Sequence, residues 1–309
     1  MMINRRRILT IAAACAASTV LPLQSRAQGL TQWRGVALGA DASITLADHP
    51  RADAIIADAL AEISRLESIF SLHQANSALV RLNREGRLVA PPFELLECLS
   101  LAGAVHDATE GYFDPTIQPL WAMNAERHGA GSVFDAAIEE QVRTRVGWSG
   151  LSFDASSIQL APGMQLTLNG IAQGYIADRV AGLLRSDGLT NILINTGEFY
   201  ANGGQPDGQP WPISLDDGHR VHHEVVSLEN RALASSAPRG ITFDEAGRVS
   251  HIINPKSGQP TQSPWTLISV MAPKAGLADA LSTAFCLMDA DQIDASLQHF
   301  PDVHLAYAA

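Results

Sequence analysis

Between residues 51 and 70 the apolar positions Ile56, Leu60, Ile63, Leu66 and Phe70 recur at helical spacing, which predicts an amphipathic helix with one buried stripe. Residues 33–46, just before it, alternate apolar and polar, as one half-buried strand does. A polar turn after Phe70 leads into a short helix ending near Asn83. A longer helix is expected from Pro91-Pro92 to about Thr109, with Phe93, Leu96, Leu99 and Val105 inward and Gly111 stopping it. The next stretch, Gly111 to Trp121, is too rich in proline for a regular element and too apolar for a solvated linker. It reads either as a cover over a core edge or as a wall for a planar ligand. A helix over 134–146 follows, and then two short strand patterns within 151–168, placed around Pro162-Gly163.

At residues 166–178 a strand pattern turns into a helix that runs on to Gly188. A glycine at such a corner, Gly170, lets main chain approach a ligand, and the free N–H groups of the new helix suit phosphate; a plain tight turn explains it equally well. The remainder is mostly strand: 191–195, 211–215, 221–228, 232–236, a hairpin over 241–253 turning near Glu245-Ala246-Gly247, and 267–272. A helix then opens near Gly276 with Leu277, Leu281, Ala284 and Leu287 on its buried stripe. A short helix at 291–299 and a strand at 303–307 close the chain. There is no repeat, low-complexity tract or linker, so the expected fold class is α+β: a single domain over 28–309, with mixed and antiparallel sheets packed with helices.

The N-terminus breaks this pattern. Asn4-Arg5-Arg6-Arg7-Ile8-Leu9-Thr10 is a twin-arginine pattern, followed by an apolar run over 11–23 and the small-residue site Ser25-Arg26-Ala27. The run is shorter than the roughly 20 apolar residues of a membrane span, so residues 1–27 are expected to be a cleaved export signal leading to the periplasm. Cys15 with its preceding alanines is a poor lipobox that would leave too short an apolar core, so lipid anchoring is not expected. Loss of residues 1–27 removes four arginines and no acids, moving the formal charge from −11 to −15. A chain this acidic is a poor partner for nucleic acid or an anionic membrane surface. Cys98 and Cys286 lie in apolar helical patterns and read as buried thiols rather than a disulfide framework.

Candidate chemistry concentrates between Ser250 and Phe285. Asp279 and Thr283 are four residues apart, which stacks a carboxylate and a hydroxyl on one helix face, and such a pair suits a hard cation such as Mg2+. An acid in the first turn of a helix is also expected from the macrodipole alone. His251 and the turn Asn254-Pro255-Lys256-Ser257-Gly258 read equally as a strand end and its loop. Lysine occurs only at 256 and 274, which makes Lys256 a candidate phosphate contact as well as an ordinary solvated turn lysine. The adjacent His222-His223 fall in a strand pattern and read as ladder positions rather than a metal pair. Gly129-Ala130-Gly131-Ser132-Val133-Phe134 lacks the last glycine and the preceding strand of a dinucleotide fingerprint. The chain has no Gly-x-Ser-x-Gly elbow, His-Glu-x-x-His, Cys-x-x-Cys or Walker loop.

Taken in order, residues 77–83, 111–116, 170–178, 251–258 and 278–283 resemble the landmarks of the ApbE family of FAD:protein FMN transferases over nearly the whole mature chain. The resemblance implies an extracytoplasmic, Mg2+-dependent enzyme that cleaves FAD and attaches FMN through a phosphoester to a Thr or Ser of an acceptor flavoprotein. It places the metal ligands on Asp279, Thr283 and the main-chain carbonyl of Gly170, and the catalytic histidine on His251. Flavin and nucleotide contacts fall on Leu38, His73, Tyr112, Phe113, Asp114, Thr167, Gln173 and Ile253. The wording Leu168-Asn169-Gly170-Ile171-Ala172-Gln173-Gly174 resembles the NosX branch. That branch points to a NosR-like acceptor, a membrane protein with an extracytoplasmic FMN domain.

The chain departs from the family pattern where Thr167 replaces an acid and Gln173 a lysine, so two opposite charges are lost together. The usual His-Ile-Ile-Asp-Pro-Arg-Thr-Gly appears as His251-Ile252-Ile253-Asn254-Pro255-Lys256-Ser257-Gly258, and Thr-Ser-Gly as Ser235-Ser236-Ala237. Two other readings of the same residues are a Mg2+-dependent FAD pyrophosphatase and a flavin-delivery protein without catalysis.

Overall fold

The computed structural model describes residues 25–27, 29–37, 39–133, 135–216 and 224–309. Residues 1–24 of the export signal expected over 1–27, Leu38, Phe134 and His222-His223 lie outside them. In chain order the elements are β1 (Ser25–Ala27), β2 (Leu30–Ala37), β3 (Ala40–Ala47), α1 (Ala52–Phe70), α2 (Ala78–Glu85), β4 (Arg87–Val89), α3 (Phe93–Ala108), α4 (Gln118–Ala130) and α5 (Ala136–Arg143). Then come β5 (Leu151–Phe153), β6 (Ser157–Leu160), α6 (Ala172–Ser186), β7 (Ile192–Asn195), β8 (Phe199–Asn202), β9 (Trp211–Leu215) and β10 (Glu224–Leu228). The chain finishes with β11 (Arg231–Ser236), β12 (Ile268–Ala272), α7 (Ala275–Phe285), α8 (Ala290–Leu297) and β13 (His304–Ala308).

An antiparallel sheet in the order β1-β2-β3-β7-β8-β11-β12-β13 forms the backbone of the molecule. Strand period sorts its side chains. In β11, Ala232 and Ala234 join the large core that the helices cover, while Leu233 packs on the other face with Trp211, Ile213 and Leu228 of the β9–β10 hairpin. A small sheet β4-β6-β5 stands apart. Helix α7 packs against β11 and β12 on one side and against α3 and α6 on the others. That position explains its composition: Ala275, Ala278, Ala280, Leu281, Ala284 and Phe285 are all buried, so the apolar surface runs nearly all round the helix. The expected single stripe is too narrow a description, and Leu277, assigned to it, is only partly buried. Among the described residues no helix is long and apolar enough to cross a membrane. Cys98 and Cys286 are free and buried, and burial pushes both thiols well above the ordinary range.

Five further expectations are corrected. Residues 33–46 belong to two strands, not one, because Gly39 with φ 77° turns β2 back into β3. Phe93 is 68% exposed: the buried stripe of α3 runs through Leu95, Leu99, Ala102 and Val105, and a residue two positions before Leu95 lies on the opposite face. The proline-rich stretch after Gly111 does form structure, a 3-10 turn over Pro115–Ile117 and then α4, since both prolines sit in first-turn positions that need no N–H. Both short strands of 151–168 precede Pro162-Gly163, and the expected hairpin over 241–253 is reduced to an isolated bridge, Thr242 with Ser250.

Candidate active site

Helices α6 and α7 meet at their N-termini, and they approach so closely that a Cβ on Gly174 would run into the main-chain carbonyl of Ala275. Side chains then cross the contact in both directions. From α6, the Asp178 carboxylate accepts from the N–H groups of Ala275 (2.7 Å) and Gly276 (3.0 Å), which are first-turn donors of α7 with no partner inside the helix. From α7, Oδ2 of Asp279 accepts from Gly174 N–H at 3.2 Å. Burial raises the Asp178 carboxyl to about 6, with those two N–H groups opposing the rise.

One turn after Asp279, Thr283 stands beside Gly170, where a Cβ would lie 2.9 Å from Thr283 Oγ1. The corner thus collects the three sequence candidates for cation binding. Asp279 is only 3% exposed, and burial pushes its carboxyl up to about 7, with Gly174 N–H opposing and the charge of Asp178 adding to the rise. Among the described residues no hydrogen-bond donor reaches the Gly170 carbonyl: the N–H groups of Ile171 and Ala172 go to Leu168, that of Tyr175 goes to Ile171, and Gly174 is engaged by Asp279. A buried carboxylate with one hydrogen bond, a hydroxyl and an unclaimed carbonyl are hard oxygen donors, and together they fit Mg2+. Among the described residues no three or more His, Cys, Asp or Glu side chains gather as a transition-metal site would require.

Ser236 and Glu198 border the corner without being among the candidate site residues. Ser236 at the end of β11 touches both Ser282 (Oγ to Oγ 2.8 Å) and Thr283 (3.4 Å), and Ser282 Oγ donates to the Asp279 carbonyl. Glu198, in the turn between β7 and β8, is 7% exposed and accepts from Ser235 N–H at 3.1 Å. Burial first, and the charge of Asp279 second, hold its carboxyl well above the ordinary glutamate value. The sequence signal was an acid set between two buried strand patterns, which a turn glycine, Gly197, made ordinary. Gln173 bridges the same region: its main-chain carbonyl accepts from Thr196 Oγ1 (3.1 Å) and its side-chain amide packs on Gly197.

Of the flavin candidates, Tyr112, Phe113, Asp114 and Thr167 fall on a second cluster joined to the corner by residues 167–170. Thr167 N–H donates to the Pro115 carbonyl at 2.8 Å, which sets it beside Asp114, and Asp114 Oδ1 accepts from both N–H and Oγ1 of Thr116. Phe113 is buried in the core with both main-chain groups engaged, by Thr109 Oγ1 and His106 Nδ1. Tyr112 carries Lys256 Nζ 3.8 Å above its ring centroid and accepts from Gln292 Nε2. A cavity of about 430 Å3 lies between these segments, lined by His106, Gly111, Asp114, Trp148, Pro255 and Lys256. Ile253 is buried with Phe243 and Leu120, and His73 is exposed in the turn before α2.

His251 is half-buried. Its Nδ1 lies 2.8 Å from the Ile241 carbonyl, an acceptor only, so the neutral ring carries its proton on Nδ1 and leaves the Nε2 lone pair free. Burial lowers its pKa below the ordinary histidine value, and the Ile241 carbonyl opposes the shift. That is the protonation state of a general base.

Comparison with known proteins gives this arrangement a lineage. A FAD:protein FMN transferase of Haemophilus influenzae is 29% identical over 307 residues, covering 92% of this chain and 85% of that protein. One from Treponema pallidum is 28% identical over 267 residues, covering 78% of this chain and 73% of its own length. The solved apo form of Pseudomonas stutzeri flavinyl transferase ApbE is similar with a TM-score of 0.77 at 25% identity, covering 89% of this chain and 88% of that one. The flavin transferase ApbE from Vibrio cholerae shares the fold, with a TM-score of 0.78 at 22% identity over 93% and 98% of the two chains. The ApbE family model itself matches residues 38–307, from the β2–β3 turn to β13, and the chain belongs to that family.

Proposed function

We propose that the protein is a FAD:protein FMN transferase, and that Gly170, Asp279 and Thr283 hold a magnesium ion against the diphosphate of FAD. The observation that carries this reading is the corner itself, where oxygen donors from two distant segments meet around a buried carboxylate with no cationic side chain paired to it among the described residues. A magnesium ion held there supplies neutralisation of charge developing on the diphosphate oxygens. His251 Nε2 takes the proton of an acceptor Thr or Ser hydroxyl as that oxygen bonds to the FMN-side phosphorus. The diphosphate bridge to the adenylate breaks, and AMP leaves. The cavity beside Asp114 and Lys256 receives part of the dinucleotide, with Lys256 facing its negative charge.

The export signal supports action in the periplasm, and the wording of residues 168–174 supports the NosX branch with a NosR-like acceptor. Incubation of the purified chain with FAD, Mg2+ and an acceptor domain tests the activity. Covalent flavin fluorescence in a denaturing gel, lost in Asp279→Asn, is the expected result. Free FMN with AMP would instead make the chain a pyrophosphatase, and intact bound FAD a carrier.

A further inference from the structure

Glu198 has no place in the reaction described so far, yet its setting is unusual for a turn residue. It is more than nine-tenths buried, in the β7–β8 turn immediately before Phe199 opens β8. Oε2 is engaged by Ser235 N–H, and the other carboxylate oxygen has no partner among the described residues. No cationic side chain among the described residues acts on it, and its charged neighbour is another buried carboxylate, Asp279. The turn that carries it is tied to the cation corner on two sides. Thr196 Oγ1 donates to the Gln173 carbonyl next to Gly174, and Ser235 is followed by Ser236, which touches Thr283. Two like charges buried together without a counter-ion are strongly unfavourable, and a divalent cation between them reverses the sign of that energy.

We propose that Glu198 is a second carboxylate of the cation site, adding its charge to that of Asp279 so that the corner holds a divalent ion more tightly than one acid, one hydroxyl and one carbonyl would. It is a positioning and affinity residue, not a catalytic one, and the inference rests on the reading of Gly170, Asp279 and Thr283 as cation ligands.

The test uses the whole mature chain and Mg2+ alone. Thermal unfolding is followed in chelator and across a Mg2+ titration for the unaltered protein, Glu198→Gln and Glu198→Asp. Gln keeps an acceptor for Ser235 N–H but removes the charge. The expected result is a rise of about 10- to 100-fold in the Mg2+ concentration that half-stabilises Glu198→Gln, with partial recovery in Asp. In chelator, Glu198→Gln should melt at or above the temperature of the unaltered chain, because a buried like-charge repulsion has gone. An unchanged Mg2+ midpoint, or a lower melting temperature in chelator, overturns the role of Glu198 while leaving the transferase reading intact. Failure of Mg2+ to stabilise even the unaltered chain overturns the cation site itself, and Glu198 with it.

Discussion

At the α6–α7 corner the groups that matter are fixed by main chain on several sides: Asp279 by Gly174, the N-terminus of α7 by Asp178, and Thr283 by the close approach of Gly170 and Ser236. The loop bearing His251 is built differently. It is held by two isolated bridges, Thr242 with Ser250 and Ile253 with Pro260, and by local main-chain bonds, among them two contacts to the Ile241 carbonyl and the turn closed by Gly258 N–H to the Asn254 carbonyl. A cation site needs donors held to fractions of an ångström in a dry setting. A base that must meet a hydroxyl from another protein needs an open approach instead. Substitutions at the corner should therefore move stability and activity together, and those in the loop should separate them.

Gly174→Ala has the largest expected effect, because its new methyl group would meet the rigid Ala275 carbonyl and force α6 from α7. A loss of about 3 kcal/mol in stability is expected, seen in urea unfolding, with Mg2+ stabilisation gone as well. A fold and Mg2+ response like those of the unaltered chain would show that the corner is softer than its geometry.

His251→Ala should lower flavin transfer by about 100-fold or more while changing unfolding free energy by less than about 1 kcal/mol. Its pH dependence carries a sign. Burial lowers the folded pKa, so the ring stays neutral and able to accept a proton at pH values where an ordinary histidine is already charged. The acid limb of the rate profile should fall below pH 6.5, the unperturbed histidine value of about 6.5 being the reference. A limb at or above that value would assign the base elsewhere.

Asp178→Ala comes next. It leaves the N–H groups of Ala275 and Gly276 without acceptors at the head of α7, at a cost of about 2 kcal/mol. Asp178→Asn, which keeps one acceptor, should lose roughly half as much. Because α7 carries both Asp279 and Thr283, Mg2+ stabilisation should weaken in the same order, measured by melting with and without chelator.

The division between corner and loop also explains what could be read from sequence. Helical spacing over α1 and the four-residue step from Asp279 to Thr283 are local properties, and both elements formed where expected. The proximity of Thr283 to Gly170 is not local. It was reached through family resemblance and depends on the packing of α6 against α7, which periodicity does not encode. Glu198 is hidden for the same reason: beside Gly197 it looks like a turn acid, and its burial and its bond to Ser235 N–H of β11 come from strands distant in sequence. Phe93 shows the limit of apolar character alone: its angle around α3, two positions before Leu95, turns it to solvent.

The smallest effect should come from the tether of the loop bearing His251 to α5. The Arg143 guanidinium donates to the carbonyls of Ser257 (2.9 Å) and Lys256 (3.4 Å) across more than a hundred residues of sequence. These bonds lie at the surface and compete with water, so Arg143→Ala should lower global stability by less than about 1 kcal/mol. Their consequence is local, since the same turn carries Lys256 over the Tyr112 ring and borders the cavity assigned to the dinucleotide. Faster amide exchange is expected across residues 254–258, with exchange at α7 unchanged and a raised KM for FAD at nearly constant kcat. Equal acceleration at α7 would show that loop and corner form one cooperative unit, and the contrast between them would fail.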